Sequence, residues 1–556
     1  HVSKKSTIDI VAKTQDVIIF GNTAGGYAYD ITMEENSTVN LISYGGHNFK
    51  IGTIHKVYGA NNSKIYAKNK DSEKEANFYF QTNPGEIETE GKANIISAGN
   101  AETVFNNLKL TLAQESSLSV TDGRINNITL QSLNIENGGS ARLAIDVSLK
   151  SRQADRITAG TSVGSLKVGT INVVSNSKTP VDITIADKDS VIGSVTTNKA
   201  ESAEATYKLK TYYDENGLLR ARITGQRAKS SAVAAPVAAQ IGGYLAQINS
   251  YDQAFANLDM DMLKTREERK AEEMMNKYAV ASSSSVQQPY LNKDGMNYNS
   301  KGLWNRAFAT FENVPLNNGP KVNNVGYGNY FGGDMGKKEL SNGWSRQFSA
   351  YIGYNGSTQD YTKQSIDQNG GTLGIMETWY KGNFFTALTA NVGGNNAEAN
   401  TDLGKERMAM LMAGVASKTG YNFEFKQGKF IIQPSILISY SFINTFDHNN
   451  GLGHKVSSSP IHAIQVAPGI KFIANLKNGW QPYFGINMRW NIMDKASFSI
   501  PDVTIPTMSV DPYVEYGVGI QKRWGDRFTG YGQAMIRNGG RNGVMLNIGF
   551  RWAIGK

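Results

Sequence analysis

Gly160-Thr-Ser-Val-Gly164 spells the G-x-S-x-G pattern of a serine nucleophile. That chemistry needs the serine on a sharp strand-to-helix turn, with a histidine base and an acid within hydrogen-bond reach. Here the pattern lies between two strand-like stretches, and none of the six histidines (His1, His47, His55, His448, His454, His462) offers a matched base. It reads as a plain turn. His448 and His454 could pair on a metal, but in a loop rich in Asn and Gly they read as solvated. With no Cys there is no thiol nucleophile, Cys-ligated zinc, iron–sulfur cluster or disulfide scaffold. H-E-x-x-H, the P-loop and a G-x-G-x-x-G set between strand and helix are all missing from the sequence. The expectation is a protein that is not an enzyme and uses no cofactor or metal. What remains are side chains suited to an interior. Glu377, Glu424, Arg489, Glu515 and Arg537 fall in alternating segments, and are expected to line a lumen and pair with a helix inside it.

The elements that would position them differ between two parts of the 556-residue chain. All seven Trp fall in 301–556, which holds 35 Trp, Phe and Tyr against 20 in the first 300 residues. Charge divides at the same place, with 25 Lys and Arg against 16 Asp and Glu in 301–556, and 32 against 32 before it. No run of five basic residues occurs, and the excess is spaced among apolar residues, which excludes a nucleic-acid partner. An apolar fraction of 40% excludes a bundle of membrane-spanning helices, each of which needs about 20 apolar residues in a row. A start at His1 rather than Met reads as a processed or partial product, with any signal peptide outside the sequence.

Residues 1–229 alternate apolar and polar over five to eight positions and break at Gly, Asn, Asp or Ser, as in Leu108–Leu112, Ile128–Ile135, Leu166–Val173 and Val181–Ile185. Period two with Val, Ile, Leu and Thr predicts short strands. The choice lies between a β-sandwich and a right-handed parallel β-helix. Small aliphatics and Asn/Gly turns favour the β-helix, with about ten coils. Residues 230–300 then predict one long helix and a linker. Ser230 to Tyr251 carries no charge, and Val233, Val237, Ile241, Leu245, Ile248, Phe255 and Leu258 recur near the helical period. Lys264–Glu268 and Arg269–Glu273 would add i,i+4 pairs. Pro236, Gln240, Gly242, Gly243, Gln247 and Asn249 make the run too polar to span lipid, and suit it to a polar protein enclosure.

Residues 301–556 mark out twelve longer segments, about 302–312, 322–335, 345–356, 370–380, 383–395, 407–420, the later part of 421–446, 459–475, 480–493, 509–523, 527–537 and 541–554. Most suffice for a tilted membrane strand of about 9–11 residues. Short turns such as Lys381-Gly-Asn383 and Lys477-Asn-Gly479 alternate with longer polar loops such as 447–458. In the last segment Val544, Leu546, Ile548, Phe550, Trp552 and Ile554 would face lipid, with Asn547 and Arg551 inward. Twelve strands leave a bore of about 14 Å, and a helix is about 10–12 Å across, so one helix fits. The predicted fold is all-β with one long helix: an N-terminal right-handed parallel β-helix, an intrabarrel helix and a C-terminal 12-stranded antiparallel transmembrane barrel.

This order of a small-residue helix, a connector and twelve strands resembles the translocator unit of monomeric autotransporters of type V secretion, over about 235–556. Gly302-Leu-Trp304-Asn-Arg306-Ala-Phe308 resembles the family's first barrel strand, and Gly332-Gly-Asp334 its second. Arg541-Asn-Gly543-Val-Met-Leu546-Asn-Ile548, running on to Phe550 and Trp552, resembles the signal read by barrel-assembly machinery. The family ends on Phe or Trp, whereas Ala553-Ile-Gly-Lys556 follows here. Leu143-Ala-Ile-Asp146, Asp155-Arg-Ile157 and Gly160 resemble a pattern near the end of passengers. The resemblance implies an outer-membrane monomer in contact with lipid and assembly machinery, displaying or secreting residues 1–229 as an adhesin or virulence-type domain for a host or surface ligand. The alternative is a porin-like channel with an N-terminal domain.

Overall fold

Short alternating strands in the N-terminal part stack in parallel instead of folding back on one another. The computed structural model describes residues 7–554 apart from 13–16, 20–28, 34–37, 45–47, 52–53, 60–63, 82, 263–300, 362–363, 494 and 525–526. The chain divides into two units, His1–Ala228 with Asp502–Thr504, and Lys229–Pro501 with Ile505–Lys556.

In the first unit one parallel ladder runs through Thr7–Ala12, Thr38–Ser43, Lys64–Asn69, Glu86–Glu90, Lys109–Leu112, Asn127–Ile135 and Arg156–Val163. A second parallel ladder, from Val17–Ile19 to Ser165–Ser175, takes the strands between them, giving a β-solenoid of about six turns. The registers stack like on like. Val39, Ile65, Ile87, Leu110 and Leu133 occupy equivalent places in successive turns, as do Phe78, Ile95, Leu118, Leu143 and Val168 on the other ladder. All ten are buried, so each turn covers apolar surface that its neighbour would otherwise leave wet.

The expected ten coils overshoot, because the parallel stack ends where Ile192–Val195 and Lys199–Glu201 pair with Ser165–Ser175. Val181–Ala186 and Ala205–Tyr213 both pair antiparallel with Leu219–Ala228 instead. A tight reversal, Asp214-Glu-Asn-Gly217 with Gly217 at φ 75°, sends the chain back beside itself. A short helix, Ala101–Phe105, also interrupts the strands; Asn100 caps it by accepting the Thr103 N–H at 3.1 Å. The G-x-S-x-G stretch runs along Arg156–Val163 into a turn at Gly164 that leads to another strand.

The second unit contains twelve antiparallel barrel strands: Lys301–Asn317, Lys321–Asp334, Ser345–Tyr361, Gln364–Lys381, Phe384–Thr401, Gly404–Tyr421, Phe430–Thr445, Ile461–Ala474, Trp480–Met493, Tyr513–Trp524, Phe528–Gly539 and Asn542–Ile554. First and last strands pair from Lys301↔Ile554 to Asn313↔Asn542, so the sheet closes on itself. Several strands outrun their predicted segments. Gln364–Lys381 begins six residues before 370, because Ser365, Asp367 and Gln368 keep their ladder pairs beyond the apolar stretch.

Alternation sorts the wall. Ile352, Leu373, Val518 and Ile548 are 57–67% exposed around its outside. Gln347, Asn355, Gln433, Gln465 and Gln521 are buried within. Polar inside and apolar outside is the inverse of a soluble barrel, and fits one bathed in lipid. Among the described residues no helix is long and apolar enough to cross a membrane. The predicted helix appears as Ser230–Val233 followed by Ala235–Met262. The expected pairs Lys264–Glu268 and Arg269–Glu273 and the linker to 300 lie outside the described residues.

Candidate functional site

The lumen inherits the polar half of every alternating strand, and the long helix occupies it. One series of alternating charge joins helix to wall. Asp252 on the helix meets Arg489 at 2.8 Å, and Arg489 reaches Glu515 at 3.1 Å. Glu515 accepts from Arg537 Nε at 2.8 Å, Arg537 lies 3.3 Å from Glu312, and Arg541 holds both Glu312 oxygens at 2.6 and 2.8 Å. Three acids and three arginines leave the series neutral. Tyr513 closes it, accepting from Arg541 Nη1 at 3.2 Å while its ring faces Arg537 and Arg541. Such burial is tolerable only because every charge is paired, and Glu312, Glu515 and Arg541 are each hydrogen-bonded on several sides. Asn324 donates to Glu312, Asn487 to Glu515, and Arg489 to Gln465.

The remaining helix contacts are mostly neutral and come from strands all around. Gln240 donates to the Ser459 carbonyl at 3.0 Å and Tyr244 to Asn491 at 3.1 Å. Gln247 donates to Asn391, which itself donates to Ser250. Tyr251 donates to the Tyr440 carbonyl, Gln253 to Asn547, and Arg306 to the Ala256 carbonyl at 2.6 Å. Toward its C-terminal end the helix packs Tyr251, Phe255 and Leu258 into a cluster with Trp304, Phe308, Tyr330 and Tyr351. Close approach is built in at Gly242, where any Cβ would collide with the Gln359 and Gln368 amides.

The residues singled out from sequence fall as follows. Val233, Val237, Ile241, Leu245, Ile248, Phe255 and Leu258 are all buried, and so are Gln240, Gln247 and Gln253 between them. The helix is therefore enclosed around its circumference. Trp304, Arg306 and Phe308 point inward, Trp304 Nε1 donating to Asp334 at 3.1 Å. Asp334 also accepts from Arg551 at 2.9 Å and from Ser349 at 2.8 Å. Leu546, Ile548, Phe550 and Trp552 form an outward row that Val544 begins, whereas Gly543 falls on the inward series with Met545 and Asn547. Arg541 is not in that row: it precedes the strand and its side chain is inside, on Glu312.

Glu377 and Glu424 are corrections. Met376 and Thr378 take the inward positions, so Glu377 faces out and pairs with Arg346 at 3.2 Å. Glu424 is exposed in the hairpin strand Phe423–Phe425. His448 is not solvated, since its buried ring contacts Glu406 at 2.7 Å and the Phe446 carbonyl at 3.1 Å. No metal-holding group of three acids or histidines occurs among the described residues. Sequence reasoning missed Asp252 and Glu312. Each is an isolated acid among uncharged neighbours, Asp252 directly after the uncharged run Ser230 to Tyr251.

Residues 303–534 match the family model described as the autotransporter beta-domain. This region is similar to autotransporter β-domains. Three solved structures are similar to the chain. The transport unit of the autotransporter AIDA-I from Escherichia coli matches at 16% identity and TM-score 0.40, covering 51% of this chain and 99% of that one. The beta domain of the Bordetella autotransporter BrkA matches at 16% identity and TM-score 0.39, covering 46% and 100%. The translocator domain of NalP from Neisseria meningitidis matches at 10% identity and TM-score 0.39, covering 53% and 99%. No curated protein matches the sequence.

Proposed function

We propose that this chain is an outer-membrane autotransporter, which exports residues 1–228 and holds them at the cell surface as a non-enzymatic, adhesin-type interaction domain, working as a monomer inserted by the barrel-assembly machinery. The observation that carries the reading is a single helix seated in a closed barrel and threaded from end to end. Its N-terminal half bonds to Ser459, beside a long loop, while its C-terminal half bonds to Arg306, near the start of the first strand. The passenger thus enters the helix at the loop end, which is the cell surface, and the barrel termini face the periplasm. The outward row Leu546, Ile548, Phe550 and Trp552 is the surface offered to the assembly machinery. A filled lumen favours this over a diffusion channel. Stacked turns repeat their outward side chains at strand spacing, which presents an extended face for a ligand on a host cell or other surface.

Adding protease to intact cells is expected to degrade residues 1–228 while leaving 301–556 protected. A passenger cut only after lysis overturns export. Cells displaying the full chain should bind host-cell layers better than cells displaying a chain without 1–228. Equal binding overturns the adhesin role.

A further inference from the structure

The two ends of the barrel carry different charge. At the end where the first strand begins and the last finishes, the connecting stretches 335–346, 379–384, 421–430, 474–481 and 521–528 contain ten Lys and Arg against three Asp and Glu. At the opposite end, stretches 316–322, 360–365, 400–407, 445–461, 493–513 and 538–542 contain seven against seven. The basic end also holds Trp344, Trp379, Trp480 and Trp524, four of the seven Trp.

These cations are held against rings at the edge of the apolar band. Lys522 Nζ lies 4.2 Å from the Trp480 ring centre and 5.5 Å from that of Trp524. The two indoles are 38% and 49% exposed. Lys522 continues the outward row of Val518 and Ile520. Lys381 sits over Trp344 at 5.6 Å and Lys426 over Phe430 at 5.9 Å. Among the described residues, none of these three lysines has a carboxylate partner. An ammonium resting on an aromatic face keeps N–H donors directed away from the ring. Trp side chains sit at headgroup depth in membrane proteins. Ammonium and indole N–H together supply what a phosphodiester oxygen accepts.

We propose that this rim is a headgroup site for anionic glycerophospholipids of the inner leaflet, best formed where Lys522 lies beside Trp480 and Trp524. The inference rests on the orientation given above, which assigns this end to the periplasm. The occupant is a lipid because the cations border the lipid-facing row and repeat around the rim, while the lumen itself is filled. Positive charge beside a membrane draws anionic headgroups and is screened by salt.

The test reconstitutes the full chain in phosphatidylcholine vesicles, with spin-labelled phosphatidylglycerol or spin-labelled phosphatidylcholine as the probe. The immobilised fraction of each label gives its relative affinity. Phosphatidylglycerol should be preferred about threefold or more, with the preference falling in high salt. It should fall toward one in the triple variant Lys381→Gln, Lys426→Gln, Lys522→Gln, and persist in Lys522→Arg. The opposite-end variant Lys321→Gln, Lys455→Gln should keep it. Equal affinity for the two probes, or equal loss in both glutamine variants, overturns the site. A chain that enters the vesicles without preference removes only this inference, whereas one that does not enter them removes the membrane reading as well.

Discussion

Arg489 shows most directly how single residues set the state of the lumen. It bonds Asp252 on the helix and Glu515 on the wall, so replacing it by Leu strands Asp252 and leaves Arg537 as the cation on Glu515. Breaking a buried pair in this way costs about 3–5 kcal/mol. Arg489→Leu is expected to loosen the helix and raise single-channel conductance in planar bilayers, with Asp252→Asn giving a smaller rise because the pair with Glu515 survives. Unchanged conductance in Arg489→Leu would show that the series does not hold the helix. Alternation along single strands was enough to assign Arg489, Glu515 and Arg537 to the interior. Glu377 failed by one position of register. Asp252 was not legible because a helix's rotation against its wall is a tertiary property, whereas Glu312 shares the inward parity of Trp304, Arg306 and Phe308 and was passed over at the end of its segment.

Among the elements, the solenoid carries its own pH dependence. Asp155 is 1% exposed and accepts the Asn126 and Asp146 N–H groups at 2.7 and 2.6 Å. Burial pushes its pKa up to about 7; the N–H donors oppose the rise, and Asp146 and Asp122 add to it. The folded carboxyl therefore binds its proton more tightly than the unfolded one. Its contribution is complete below about pH 4 and is lost as pH rises through about 7. Circular-dichroism melts of the full chain should show the solenoid weakening across that window, and Asp155→Asn should flatten the trend while lowering stability by about 1 kcal/mol for one lost hydrogen bond. An unaltered pH profile in Asp155→Asn would refute the assignment. Strand periodicity identified most of these elements, since it depends on neighbours two positions apart. It holds no information on strand direction, and so the antiparallel hairpins after Val181 were read as further coils.

At the scale of the molecule, closure of the sheet is the property that most needs a solution test. A barrel whose last strand pairs along thirteen positions with its first has no frayed edge for detergent to enter. Unheated samples in dodecyl sulfate should migrate as a compact band and shift on boiling, and a chain ending at Gly539 should lose that band. The twelve segments and the enclosed helix were visible in sequence because both follow from local pattern and length. The charge difference between the two ends was not, because it emerges only once alternate turns are assigned to opposite rims. The seam also imposes an order of events on synthesis. Lys301 waits for Ile554, the partner that translation supplies more than two hundred residues later. An interrupted chain would present raw strand edges to periplasmic proteases, so sealing the wall doubles as a proofreading step that admits only finished polypeptides.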